Sequence, residues 1–116
     1  MKVESFKQLI VWQKSVLLAK LVYQVTARLP KGEQYGLLSQ TRRCAVAIPS
    51  NIAEGSRRKT KQDYLQFLHV ASGSAAELET QCIIAKDVYP QIDFSKVGQL
   101  LLEVQKMLSR LISRLS

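Results

Sequence analysis

Cys44-Ala45-Val46-Ala47-Ile48-Pro49-Ser50-Asn51-Ile52-Ala53-Glu54-Gly55-Ser56-Arg57-Arg58-Lys59-Thr60-Lys61-Gln62 is the stretch on which the fold turns. Ala45, Ile48 and Ile52 keep helical spacing across a proline. Pro49 removes one backbone donor and presses on the carbonyl of Ala45, so the pattern predicts one kinked helix rather than two. Gly55 offers a left-handed stop. A basic connector follows, and Thr60 with Asp63 has the spacing of a helix start. One helix and a loop are expected before this stretch, and two helices after it.

Upstream, the second helix is predicted from Leu37 to Glu54, with Leu38, Ala45, Ile48 and Ile52 on one face. Lys31 to Gly36 reads as a loop, or a loop ending in a short turn. The first helix opens at Ser5, whose distance to Gln8 is that of a capping box, and runs to about Arg28 before Pro30 and Gly32. Its apolar residues are widespread, with Leu9 to Trp12 and Leu21 to Tyr23 each consecutive. Four successive residues at about 100° each go most of the way round a helix. Lys7, Lys14 and Arg28 leave only a narrow polar stripe. Such a helix needs more than one partner surface, which points to a homo-oligomer.

Downstream, a third helix is predicted to about Val88, with Tyr64, Leu68, Ala71, Ala75, Leu78 and Cys82 opening a seam that Ala85 and Tyr89 continue. Gly73 weakens this helix by roughly 1 kcal/mol against alanine, so a closely approaching neighbour is expected there. Pro90 ends the helix and Asp93 can cap the last one, Phe94 to Leu115. Val97, Leu101, Val104, Leu108, Leu111 and Leu115 form its seam. No strand pattern or internal repeat is visible. The expectation is a single all-α domain over residues 1–116, an antiparallel up-down-up-down four-helix bundle with a proline kink in the second helix.

Hydrophobic residues at 47% and charged residues at 22% belong to an ordered globular chain. The net charge of +8 points to an anionic partner, foremost nucleic acid, with plain solubility as the alternative. Met1-Lys-Val-Glu-Ser5 has no apolar leader core, and no apolar run approaches the roughly 18 residues of a spanning helix. A cytoplasmic protein without a membrane partner is expected.

Little in the chain could perform catalysis. Cys44 and Cys82 fall on apolar helical positions and read as buried, reduced thiols. His69 is the only histidine, which leaves no basis for a His metal site or a Ser-His pair. Glu77 and Glu79 could bind metal or act as an acid/base pair, but di-metal bundles use Glu-x-x-His pairs, absent here. Ion pairing of these carboxylates with Arg42 or Arg43 across helices is the better reading. Ser39, Ser50 and Asn51 lack a neighbouring base. No phosphate-binding glycine loop occurs. The reading is therefore non-enzymatic, with no metal, cofactor or small-molecule substrate.

Arg57, Arg58, Lys59 and Lys61 place four positive charges within five residues at a helix N-terminus, where the macrodipole disfavours cations. Phosphate would relieve both problems, since helix-start N–H groups and side-chain charge would converge on it. A solvated basic connector is the competing reading. The first-helix lysines Lys7 and Lys14 are the second candidate nucleic-acid contact.

Phe6 with Val11-Trp-Gln-Lys14, Pro30, Gln40-Thr-Arg-Arg43, Ile48-Pro-Ser-Asn-Ile-Ala-Glu-Gly55 and Gly73-Ser-x-x-Glu77-Leu-Glu79 together resemble the bacterial four-helix-bundle proteins encoded in 23S ribosomal RNA intervening sequences. The resemblance covers nearly the whole chain. It implies a kinked-helix bundle that assembles into a five-membered ring. It also implies kinship with accessory proteins of diversity-generating retroelements, which bind a reverse transcriptase and nucleic acid through a basic ring surface. Carried over residue by residue, it makes Arg42, Arg43, Asn51, Glu54, Glu77 and Glu79 a structural polar framework. The functional expectation is an oligomeric RNA-binding or ribonucleoprotein accessory protein. The alternative is an adaptor bundle that recognises a partner such as a reverse transcriptase without touching RNA.

Overall fold

A computed structural model describes residues 5–116. The reading of the leader rests on Met1 to Glu4, which lie outside the described residues. Those described form a 3-10 turn (Phe6–Gln8), α1 (Ile10–Thr26), a second 3-10 turn (Lys31–Glu33), α2 (Leu37–Ser56), α3 (Lys61–Val88) and α4 (Ser95–Leu115). The class is all-α, with no strand among the described residues.

The start of the first helix differs from the expectation. The Ser5 hydroxyl accepts from the Lys7 N–H at 3.1 Å and caps only the 3-10 turn. Leu9 is extended, at ψ 124°, and separates that turn from α1. Gln13 ties the two together, its side-chain amide donating to the Lys7 carbonyl at 2.8 Å. Lys7 and Arg28 therefore lie outside α1, and the basic stripe of one helix is broken.

The other starts follow their sequence signals more closely. Thr60 Oγ1 accepts from the Asp63 N–H at 3.1 Å and opens α3. Asp93 Oδ1 accepts from the Ser95 N–H at 2.9 Å and opens α4, and that bond holds the Asp93 carboxyl below the usual range. Gly36 at the head of α2 has no side chain to cap with. Glu33 does this from the preceding turn, its Oε1 accepting the Leu37 N–H at 3.1 Å.

Pro49 is buried within α2, which continues through it. Gly55 is not a left-handed stop, since no described glycine has a positive φ. It is buried and helical because α3 comes close: a Cβ there would sit 2.7 Å from the Phe67 Cβ and 3.0 Å from Tyr64 Cδ1. The helix ends instead on tight bonds from the Arg57 N–H to the Glu54 carbonyl (3.2 Å) and from Arg58 to Gly55 (3.1 Å). Gly73 shows the reverse: it is exposed, with nothing among the described residues within 4 Å of the point an added Cβ would occupy, so the close neighbour expected there is absent from them.

α1 packs against α2 and α4, and α3 against the same two helices. Leu18, Ile48, Ile52, Leu68, Leu78, Leu101 and Leu108 are fully buried at the centre. Ala45, Ala71 and Ala75 are fully buried as well, and such small side chains let neighbouring helices approach closely. A smaller cluster of Leu29, Ala85, Ile92 and Phe94 packs the loops next to the start of α2. The predicted seams of α3 and α4 face this core. At the seam ends Tyr64, Cys82, Tyr89, Leu111 and Leu115 are half-buried.

Candidate nucleic-acid interface

The connector between α2 and α3 carries Arg57, Arg58 and Lys59, and Lys61 begins α3. All four are exposed. Arg58 is the one engaged among the described residues. Its guanidinium donates to Glu54 Oε2 at 2.8 Å and lies 4.7 Å from the centre of the Phe67 ring. Both members of that ion pair are about half exposed, so it adds only about 0.3–0.5 kcal/mol. Among the described residues Arg57, Lys59 and Lys61 have no carboxylate partner. Asp63, one helical turn on, is the other acid of this region, and its place in the first turn offsets the macrodipole.

The two lysines of the second candidate separate. Lys7 is exposed on the 3-10 turn. Lys14 pairs with Glu103 of α4 at 2.7 Å, so its charge is matched locally. Two cations that the sequence reading left out adjoin this region. Arg110 and Arg114 line a shallow cleft with Gln8, Leu9, Ile10, Val11 and Met107, where the end of α4 meets the start of α1. Their position off the α4 seam was visible in the sequence. That the first turn of the chain lies beside them was not.

The polar framework residues make separate contacts rather than one network. Arg42 reaches the end of α1, where its Nε donates to Thr26 Oγ1 at 3.0 Å and a terminal nitrogen donates to the Tyr23 carbonyl at 3.2 Å. Its guanidinium stacks 4.4 Å from the Tyr23 ring centre. A cation at a helix C-terminus is favoured by the macrodipole. Arg43 is exposed and makes no ion pair with Glu77 or Glu79, so the expected interhelical bridge is absent from the described residues. Glu77 accepts instead from the Cys44 thiol, at 3.6 Å, and Glu79 accepts from the Gln105 amide of α4 at 3.1 Å. Asn51 donates to the Ala47 carbonyl of its own helix at 2.8 Å.

Cys44 and Cys82 are free thiols. Burial pushes the Cys44 thiol up, with the Glu77 charge adding to it. Burial, with a further push from Glu79, raises Cys82 to about 11. A thiol held protonated in this way is a poor nucleophile. No group of three or more His, Cys, Asp or Glu among the described residues could hold a metal ion. No helix among them is long and apolar enough to cross a membrane.

The described residues form an all-helical protein with exposed cations on the connector between α2 and α3 and at other places on its surface. Residues 7–110 match the family of 23S rRNA-intervening sequence proteins, and the chain belongs to that family. No curated protein matches the chain.

Proposed function

We propose that the chain is a non-enzymatic, cytoplasmic, oligomeric protein that binds RNA, alone or within a ribonucleoprotein, through its basic surface. The observation that carries this reading is the exposed connector, where Arg57, Lys59 and Lys61 have no carboxylate partner among the described residues. Membership of a family named for ribosomal RNA intervening sequences gives it a loose further support. Exposed apolar side chains on α1, at Ile10, Leu17 and Tyr23, support assembly of several subunits, and the family resemblance favours five.

Within each subunit we read the chain as an up-down-up-down bundle that bends at Pro49. Contacts between packed helices support it, because the numbering of α2 against α3, and of α1 against α4, runs in opposite directions. Gly55 lies beside Tyr64 and Phe67 while Cys44 lies beside Glu77. Likewise Lys14 meets Glu103, while Leu21 and Arg28 share a cleft with Asp93 and Lys96.

Salt dependence of RNA affinity tests the function. Each phosphate neutralised on a single strand contributes about −0.7 to the slope of log affinity against log salt. Replacing Arg57, Lys59 and Lys61 with glutamine should flatten the slope by roughly 2 if all three engage phosphate. Absence of RNA binding by the wild-type protein at low salt would hand the function to the adaptor reading.

A further inference from the structure

We infer that the subunits of the assembly join head to tail, with the outer face of α1 and α2 on one copy covering the outer face of α3 on the next. The inference rests on the oligomeric reading above and assigns the two surfaces that meet.

Both surfaces carry exposed apolar side chains that no other described residue covers. On α3, Val70, Gly73, Glu77, Thr80, Ile84 and Val88 recur at spacings of three and four along one exposed row. Val70, Ile84 and Val88 are each about half exposed, at 50%, 49% and 56%. On the other side, Val16, Ala19, Lys20, Tyr23, Val46 and Pro49 line a groove between α1 and α2. Tyr23 and Val46 stand 45% and 42% exposed at its rim.

Charge selects the pairing. α1 contains Lys14 and Lys20 and no carboxylate, and α2 contains Arg42 and Arg43 with its one acid, Glu54, in the last turn. Beyond its first turn α3 carries Glu77, Glu79 and Asp87 against a single Lys86. Two copies of the groove would bring Lys20, and Arg43 of the adjoining cleft that shares Tyr23 and Val46, against themselves, and two copies of the α3 row would do the same with Glu77 and with Asp87 beside Val88. Groove against row joins opposite signs. Arg43 and Glu77 are both exposed and lack an ion pair among the described residues; the one bond Glu77 accepts there, from the Cys44 thiol, leaves its charge unmatched, so both can pair across the contact. The exposed Gly73 presents bare backbone near the start of the row, where a neighbouring helix can come close.

Because the two surfaces are different, the contact is heterologous, and such contacts build rings when the rotation closes. A mixing experiment reads this directly. Val46→Asp spoils the groove and Ile84→Asp spoils the row, and both positions are exposed, so the fold of each subunit should survive, as circular dichroism can verify. Light scattering at micromolar concentration should show each variant alone as a monomer. An equimolar mixture should give a heterodimer and nothing larger, since one intact groove meets one intact row and the remaining surfaces are both spoiled. Val46→Lys and Ile84→Lys repeat the test with the opposite charge, in case an aspartate variant loses helicity.

Native-sized assemblies from either variant would overturn the assignment of surfaces. Homodimers from one variant would overturn the head-to-tail arrangement. A monomeric wild-type protein would bring down the oligomeric reading itself, a result distinct from the other two.

Discussion

A methyl group added at Gly55 would lie 2.7 Å from the Phe67 Cβ, an atom fixed to the α3 backbone that cannot swing aside. Alanine in place of helical glycine otherwise gains about 1 kcal/mol. Overpacking against a rigid neighbour costs about 1–3 kcal/mol, and here the clash should win. Gly55→Ala should therefore lower the midpoint of urea unfolding. Gly98→Ala, in a helix with open space around the new methyl, should raise it. The thiol of Cys82 gives a second prediction at this scale. Its folded-state value of about 11 lies above its ordinary 9.0, so the unfolded chain loses that proton first as pH rises. The stabilisation is complete below pH 9 and fades between 9 and 11, by on the order of 2 kcal/mol. Melting curves across that range should fall more steeply for the wild type than for Cys82→Ala. Glycine is where residue-level reading of the sequence went astray. A glycine near a helix end fits a left-handed turn and a close approach equally well, and only the position of Phe67 separates them.

The elements were legible wherever one apolar face sets the period. The α3 seam from Leu68 to Ala85 and the α4 seam from Val97 to Leu108 are buried as their spacing requires. Legibility failed where a side chain from elsewhere in the chain does the work. Glu33 caps α2 from the preceding turn and also accepts the Tyr89 hydroxyl from the far end of α3, so it fastens three elements at one point. The hydrogen bond from Tyr89, and then that from the Leu37 N–H, holds the Glu33 carboxyl below its usual range. A depressed carboxylate stabilises the fold above its unfolded value, and that contribution is lost as pH falls through the folded one. Glu33→Gln should thus flatten the loss of stability on acidification below about pH 4.5. Tyr89→Phe should move the Glu33 titration upward, as NMR can follow. Arg42 is a comparable fastening between α2 and the end of α1. Its fork makes two bonds and a ring stack that lysine cannot reproduce, so Arg42→Lys should cost on the order of 1–2 kcal/mol in urea unfolding.

For the whole molecule, the net charge of +8 is less informative than its distribution. Some of the cations are already matched: Lys14 by Glu103, and Arg58 by Glu54. Sequence spacing could identify the basic connector, because its charges are contiguous. It could not find the pairing of Lys14 with Glu103, nor the meeting of Arg110 and Arg114 with the start of α1, because these join residues far apart in the chain, whereas Arg58 and Glu54 stand only four residues apart. Under the proposed RNA binding, the pairings predict unequal effects. A matched cation must leave its carboxylate, or bring that carboxylate's repulsion with it, before it neutralises a phosphate. Lys14→Gln should therefore leave the salt slope almost unchanged, and Arg58→Gln should alter it less than Arg57→Gln. Each fully engaged free cation should account for about 0.7 of the slope. Arg110→Gln with Arg114→Gln decides how far the contact extends. A shallower slope would extend it to the end of α4, and an unchanged slope would leave Arg110 and Arg114 outside it. None of these exposed replacements should shift the melting temperature appreciably, since surface charges contribute little to the fold. Equal effects from Lys14→Gln and Arg57→Gln would show that the internal ion pairs do not govern which cations meet the RNA.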